Sequence, residues 1–201
     1  MEFESGNIII TNPGSYGVLV NKKRSLPSDY APEDLATIEV PTTNDNPEAN
    51  MLRAYASDAL TKLFDQAHIA GYELYAVSGY RSYNRQVNLF KSYAEEHGET
   101  EANRFSAKPG QSEHQTGLTM DVSSESMDYE LEEEFGETPE GIWIAENAHK
   151  FGFIIRYPKG KEYITGYQYE PWHLRYLGIE LAKKVYGSKL TYDEYWERFI
   201  K

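Results

Sequence analysis

Apolar residues recur along this chain at two periods, and the switching between them lays out its elements. From Pro47 the spacing is helical: Leu52, Tyr55, Ala59, Leu63 and Ala67 fall on one face, and Gly71 supplies a stop. Residues 72–77 read as a strand that runs into SGYR at 78–81. A second helix follows, with Val87, Phe90 and Tyr93 or Ala94 turned inward, and it ends near Gly98; a short helix over Glu99–Phe105 precedes the loop KPGQ. After Gly117 the residues LTMDV predict a short strand with Asp121 near its end. Thr138 and Pro139 stand where an N-cap and a first helical residue belong, so a helix is expected as far as Lys150, closed by Gly152. Phe153–Tyr157 reads as a buried strand, and Pro158 begins a loop through Gly166. In Glu170–Tyr176 a strand puts Trp172, Leu174 and Tyr176 on one face and His173 and Arg175 on the other. Helices over 179–186 and, capped by Thr191, over 192–200 close the chain. Before position 47 the pattern is irregular, with one strand expected at 16–20 and turns around Pro27, Pro32 and Pro47.

Strands this short and this closely connected do not make a series of parallel crossovers. The expected fold class is α+β, a small, mainly antiparallel sheet flanked by helices. At 201 residues, with no repeat or low-complexity tract, one domain suffices: an irregular wrap over 1–46 around a core over 47–201.

Charge and composition narrow the partners. The net charge is -12, which repels nucleic acid backbones and anionic lipid, so no nucleic acid partner is expected. Much of the acidic excess lies in DYELEEEFGETPE at 128–140, read as a solvated loop or frayed helix face; its spacing matches no calcium loop. Seventeen tyrosines suit half-buried strand positions, and some could line a polar groove. The absence of cysteine excludes a thiolate metal site, a disulfide framework and a cysteine nucleophile. No apolar run reaches membrane-spanning length, and MEFESGNIII lacks the basic start and apolar stretch of a signal peptide. Either the protein is cytoplasmic or an export segment lies outside this chain. Nothing points to an obligate protein partner.

Five histidines are present, and context separates them. His68, His97 and His149 sit on or at the ends of predicted helices and read as surface or packing residues. His114 lies in a polar, glycine-bearing loop, and Asp121 follows at the end of an apolar strand, where an unpaired carboxylate is costly to bury. A metal ion removes that cost; so does an ion pair from Asp121 to Arg81 or Arg175, and spacing alone leaves both open. EPWH at 170–173 adds a second imidazole, His173, and a carboxylate, Glu170, able to take a proton from an attacking water. Two nitrogens and one oxygen leave a fourth zinc position open, the mark of a catalytic site. Arg81 is either an ordinary surface arginine or a clamp for a carboxylate or a developing oxyanion.

SGYRSYNRQ (78–86), SEHQTGLTMD (112–121), FGFIIRYP (151–158) and EPWHLRYLG (170–178), in this order, resemble the VanY-type D-alanyl-D-alanine carboxypeptidases, part of a wider group of zinc D,D- and L,D-carboxypeptidases and D-Ala-D-Ala dipeptidases. The resemblance spans residues 19–187. It implies one zinc ion on His114, Asp121 and His173, with Glu170 as general base and Arg81 assisting. Arg81, Gln86, Ser112 and Tyr157 match substrate-binding positions, and Trp172 a packing position beside the zinc shell. Thr119 departs from the small apolar residue common there, with little effect expected on catalysis. The implied substrate is the peptidoglycan stem peptide, cut at its C-terminal D-alanine and met outside the cytoplasm. D,D- versus L,D-preference stays open. Two rivals also stay open: an endopeptidase of the phage-lysin kind, and a non-catalytic zinc module that binds cell walls.

Overall fold

The computed structural model of the protein describes residues 8–201; residues 1–7 of the expected N-terminal wrap lie outside the described residues. Strands β1 (Ile8–Ile9) and β2 (Arg24–Ser25) form a short parallel pair, and β3 (Leu35–Thr37) and β4 (Met51–Arg53) an antiparallel one. Helix α1 (Ala54–Ile69) leads to β5 (Tyr75–Ser78), followed by α2 (Tyr83–His97) and α3 (Glu99–Phe105). Then come β6 (Thr119–Ser123), α4 (Pro139–Asn147), β7 (Phe153–Tyr157), α5 (Glu162–Thr165), β8 (Glu170–Tyr176), α6 (Ile179–Ser188) and α7 (Tyr192–Phe199). The main sheet is antiparallel throughout, in the order β5-β6-β8-β7. The fold is therefore the expected α+β arrangement.

The central strands are buried on both faces, and the two faces differ in chemistry. Met120 and Val122 of β6 and Trp172 and Leu174 of β8 belong to the main apolar core, together with Leu60, Leu63 and Phe64 of α1 and Ile144 of α4. The alternate positions, Thr119 and Asp121 on β6 and His173 and Arg175 on β8, are also buried yet polar or charged. Period-two alternation produces this division. A second apolar cluster, with Leu19, Ile154, Leu177 and Tyr192, seats α6 and α7 beside β7. Thr191 caps α7 with a reciprocal capping box through Glu194. Among the described residues no helix is long and apolar enough to cross a membrane.

Four local expectations need correction. No strand forms at 16–20. Its carbonyls are taken by side chains: Arg175 donates to Tyr16 and Val18, Tyr192 to Gly17, Arg24 to Leu19 and Arg156 to Val20. The first helix starts at Ala54 rather than near Pro47, because Met51–Arg53 pairs with β3; Leu52 is a core residue on a strand. The strand expected over 72–77 begins at Tyr75. The loop after Pro158 contains α5. In the first two cases a tertiary partner decided what local periodicity left ambiguous.

Leu174 is fully buried at the centre of the core-facing side of β8. Replacing it with alanine is expected to lower stability to chemical denaturation by about 2–5 kcal/mol. A loss under about 1 kcal/mol would show that this face is not the one sustaining the domain.

Candidate active site

Register brings the first two candidate ligands together. Asp121 on β6 and His173 on β8 are direct cross-strand partners, so their side chains leave the sheet side by side. The third arrives from a 3-10 turn, Glu113–Thr116, that ends at Gly117 in the left-handed region (φ 64). A Cβ at Gly117 would lie 2.8 Å from Leu35 Cδ2, so glycine meets both a conformational and a steric need. His114 Nδ1 donates to the Gly79 carbonyl at 2.7 Å. A carbonyl can only accept, which leaves Nε2 of His114 with its lone pair turned towards Asp121 Oδ2, 3.3 Å away. On the other side, His173 Nδ1 lies 3.4 Å from Asp121 Oδ1 and 3.2 Å from Glu170 Oε2.

These distances fit a metal ion. Ligand atoms around tetrahedral zinc, at bonds near 2.0–2.1 Å, stand about 3.3 Å apart. Among the described residues His114, Asp121 and His173 form a buried group whose ligating atoms all lie within 4.8 Å of one another. Asp121 Oδ1 is buried and makes no hydrogen bond, an expensive condition for a carboxylate without a cation. Two imidazoles and one carboxylate form the donor set of an open zinc site.

Electrostatics bind the cluster together. Burial pushes Asp121 up to about 7 against the pull of His173 and Arg81. Burial drives His114 well below the ordinary imidazole value, helped by Arg81 and His173. For His173 burial works downward too, but Glu113, Glu170 and Asp121 around it raise it to about 9. Proton occupancy thus sets the charge of the group, as in a site that exchanges protons for a cation.

A cavity of about 310 Å³ opens over this cluster, lined by Arg81, Ser112, His114, Asp121, Tyr157, Glu170 and His173 among others. Leu89, Tyr93 and Phe105 supply an apolar wall, and Leu131, Glu132, Tyr167 and Gln168 complete the rim. Arg81 is fixed by bonds from Nη1 to Gln86 Oε1 and from Nη2 to Ser78 Oγ, both 3.0 Å. Gln86 lies behind it, fully buried, with Nε2 donating to the Ala107 carbonyl at 2.6 Å. The structure therefore sets Gln86 to hold Arg81 rather than to line the cavity. The Tyr157 ring stands 4.8 Å from His173. The remaining histidines are elsewhere: His68 is exposed beside Glu73, His97 lies against Phe105, and His149 stacks on Tyr186.

Sequence reasoning missed Glu113. Its Oε1 accepts from Arg156 Nε at 2.8 Å and from Arg175 Nη1 at 2.6 Å, all three residues being inaccessible to solvent. Burial favours the neutral acid, but Arg175 and Arg156 hold Glu113 well below the usual carboxylate range. Arg175 is thus engaged away from Asp121, and Thr119, its cross-strand partner, is buried beside it. One signal was available: Arg156, on a strand read as buried, demands a buried acid, and Glu113 is the acid inside the ligand loop.

The chain is similar to several known proteins. The VanY family, described as D-alanyl-D-alanine carboxypeptidase, matches residues 49–179. YodJ of Bacillus subtilis (strain 168), provisionally named a carboxypeptidase, is 50% identical over 193 residues, 96% of this chain and 71% of that one. The solved LdcB LD-carboxypeptidase is 50% identical and superposes with a TM-score of 0.91, covering 94% of this chain and 89% of its own. A mutant of VanY, a D,D-pentapeptidase of vancomycin resistance solved in complex with Zn(II), is 33% identical with a TM-score of 0.72, covering 90% and 98%.

The carbonyl that orients His114 belongs to a glycine with no room for a side chain. A Cβ at Gly79 would lie 2.6 Å from the Met51 carbonyl oxygen and 2.8 Å from that of Ala49. Gly79→Ala is expected to lose about 1–3 kcal/mol in thermal unfolding, because backbone must move. An unchanged melting temperature would show that this segment is not packed as described.

Proposed function

This chain belongs to the VanY family of D-alanyl-D-alanine carboxypeptidases, and we propose from that footing that it is a zinc-dependent carboxypeptidase removing the C-terminal D-alanine of peptidoglycan stem peptides. The observation that carries the reading is the convergence of His114, Asp121 and His173 beside Glu170, at the floor of a cavity whose wall holds Arg81. His114, Asp121 and His173 would hold the ion. When bound, zinc supplies Lewis acidity, which polarises a carbonyl and makes a water easier to deprotonate.

The chain's own groups account for the rest. Glu170 accepts the proton of the attacking water as its oxygen adds to the scissile carbonyl carbon. The same carboxyl then passes that proton to the amine nitrogen as the C–N bond breaks, so free D-alanine leaves as a neutral amine with its carboxylate intact. An exopeptidase must recognise that carboxylate, and a buried carboxylate needs a partner. Arg81 meets that need, since two of its five N–H donors are tied to Gln86 and Ser78, which aims the guanidinium and leaves the remainder for substrate. Ser112 and Tyr157 flank the cluster as further contacts, while Gln86 acts through Arg81. Such a substrate is met on the outer side of the cytoplasmic membrane.

Relatives named for L,D- and for D,D-cleavage both resemble this chain, so the decisive experiment uses stems of several lengths. Synthetic tri-, tetra- and pentapeptide stems, incubated with the zinc-loaded protein and followed by mass spectrometry, are expected to lose one terminal D-alanine. Glu170→Gln is expected to retain zinc by elemental analysis while turnover falls by about 10²–10⁴-fold. No release from any stem by the metal-loaded protein would end the reading, and full turnover in the variant would remove Glu170 from it.

Arg81→Ala is expected to lower kcat/KM on stems with a free C-terminus by about 10²–10³-fold. Equal kcat/KM for variant and parent would show that another group reads the carboxylate.

A further inference from the structure

Two buried atoms without hydrogen-bond partners face each other just outside the ligand triad. They are Oε2 of Glu113 and Nε2 of His173, 3.5 Å apart. The other carboxylate oxygen of Glu113 is fully used by Arg156 and Arg175, so the two oxygens divide their work. We propose that Glu113 is a positioning residue for the metal centre: its Oε2 accepts the Nε2–H of His173 and so fixes the tautomer whose Nδ1 lone pair is directed at the ion. The inference rests on the reading of His114, Asp121 and His173 as ligands.

The two imidazoles then ligate through different nitrogens, each fixed by its other nitrogen. His114 is locked by a backbone carbonyl, with Nδ1 protonated and Nε2 free. His173 presents the opposite edge, because Nδ1 is the atom beside Asp121 and Glu170. A bare carbonyl suffices for the first. The second has a carboxylate, a stronger acceptor that raises the basicity of the ligating nitrogen. That carboxylate cannot rotate away. Arg156 also binds Asp193 Oδ2 at 2.5 Å, and Arg175 binds the Tyr16 and Val18 carbonyls at 2.9 and 2.7 Å. The orientation of His173 is thereby anchored in the N-terminal segment and in the first turn of α7.

A purely structural Glu113 would serve only to neutralise two buried arginines. Glu113→Asp separates the roles, since it keeps the charge but draws the carboxylate back by one methylene. In the zinc-loaded parent protein, long-range ¹H–¹⁵N correlation is expected to show His173 protonated on Nε2 and His114 on Nδ1. By chelator competition, Glu113→Asp is expected to bind zinc about 10–100-fold more weakly than the parent. Cobalt-substituted protein should show a shifted visible spectrum in the same variant. A parent His173 protonated on Nδ1 overturns the proposal, as does a folded variant with parental zinc affinity and spectrum. If the variant does not fold, the tautomer in the parent decides alone. A parent that binds no zinc removes the ligand reading itself, whereas normal zinc binding with an unaffected variant removes only Glu113.

Discussion

The pairing of Asp121 with His173 across β6 and β8 is the constraint on which the rest of the molecule depends. Side chains alternate along a strand, so a slip of one residue between these strands would send one member of the pair to the opposite face. The apolar face prevents that slip. Met120, Val122, Trp172 and Leu174 are held in the core with α1 and α4, and a slip of one residue would bury Asp121 or Arg175 among them. Hydrophobic packing on one side of the sheet thus sets ligand geometry on the other, at the level of strand register rather than of any bond within the site.

The polar face has to be stabilised by other means, because it is buried as well. Glu113, Arg156, Arg175 and Asp193 form a connected ion network with little or no solvent access. Buried charges are tolerated only when their remaining donors are satisfied. Here the surplus guanidinium N–H groups bond to the carbonyls of Tyr16, Val18 and Val20. The segment over 16–20 therefore supplies hydrogen-bond acceptors behind the site.

The elements whose partners lie close in sequence were legible. Strands Phe153–Tyr157 and Glu170–Tyr176, the helix over Glu99–Phe105 and the Thr191 cap were read with their observed limits, since punctuation by Gly, Pro and Thr marks them locally. The strand expected at 16–20 and the early start given to the first helix depended on partners far away, Arg175 and Tyr192 in one case and β3 in the other. At the site, His114, Asp121, His173, Glu170 and Arg81 were singled out by residue type and motif, and the structure brings their side chains to one cavity. Glu113 was passed over for the converse reason. A carboxylate in a polar loop looks solvated until the arginines of two later strands are known to close over it. Gln86 was given a place against substrate, when helix α2 turns it towards Arg81 and the Ala107 carbonyl.

Ligands and cavity walls come from different parts of the fold, and that separation bears on specificity. The candidate ligands and Glu170 sit on β6, β8 and the turn before β6, held by register and by buried ions. Much of the cavity wall comes instead from α2, α3 and the segments around 131–132 and 167–168. Leu89, Tyr93 and Phe105 can change size or shape without disturbing strand pairing, because none of them contributes to the sheet. Distinguishing an L- from a D-centre before the scissile bond requires only a change in where a methyl group or side chain is accommodated, a matter of wall shape. On the proposed mechanism, hydrolysis would use the same carboxylate, the same cation and the same carboxylate clamp for either. A fold arranged this way can hold its chemistry constant while its walls vary, which is consistent with similar chains bearing names for both D,D- and L,D-cleavage.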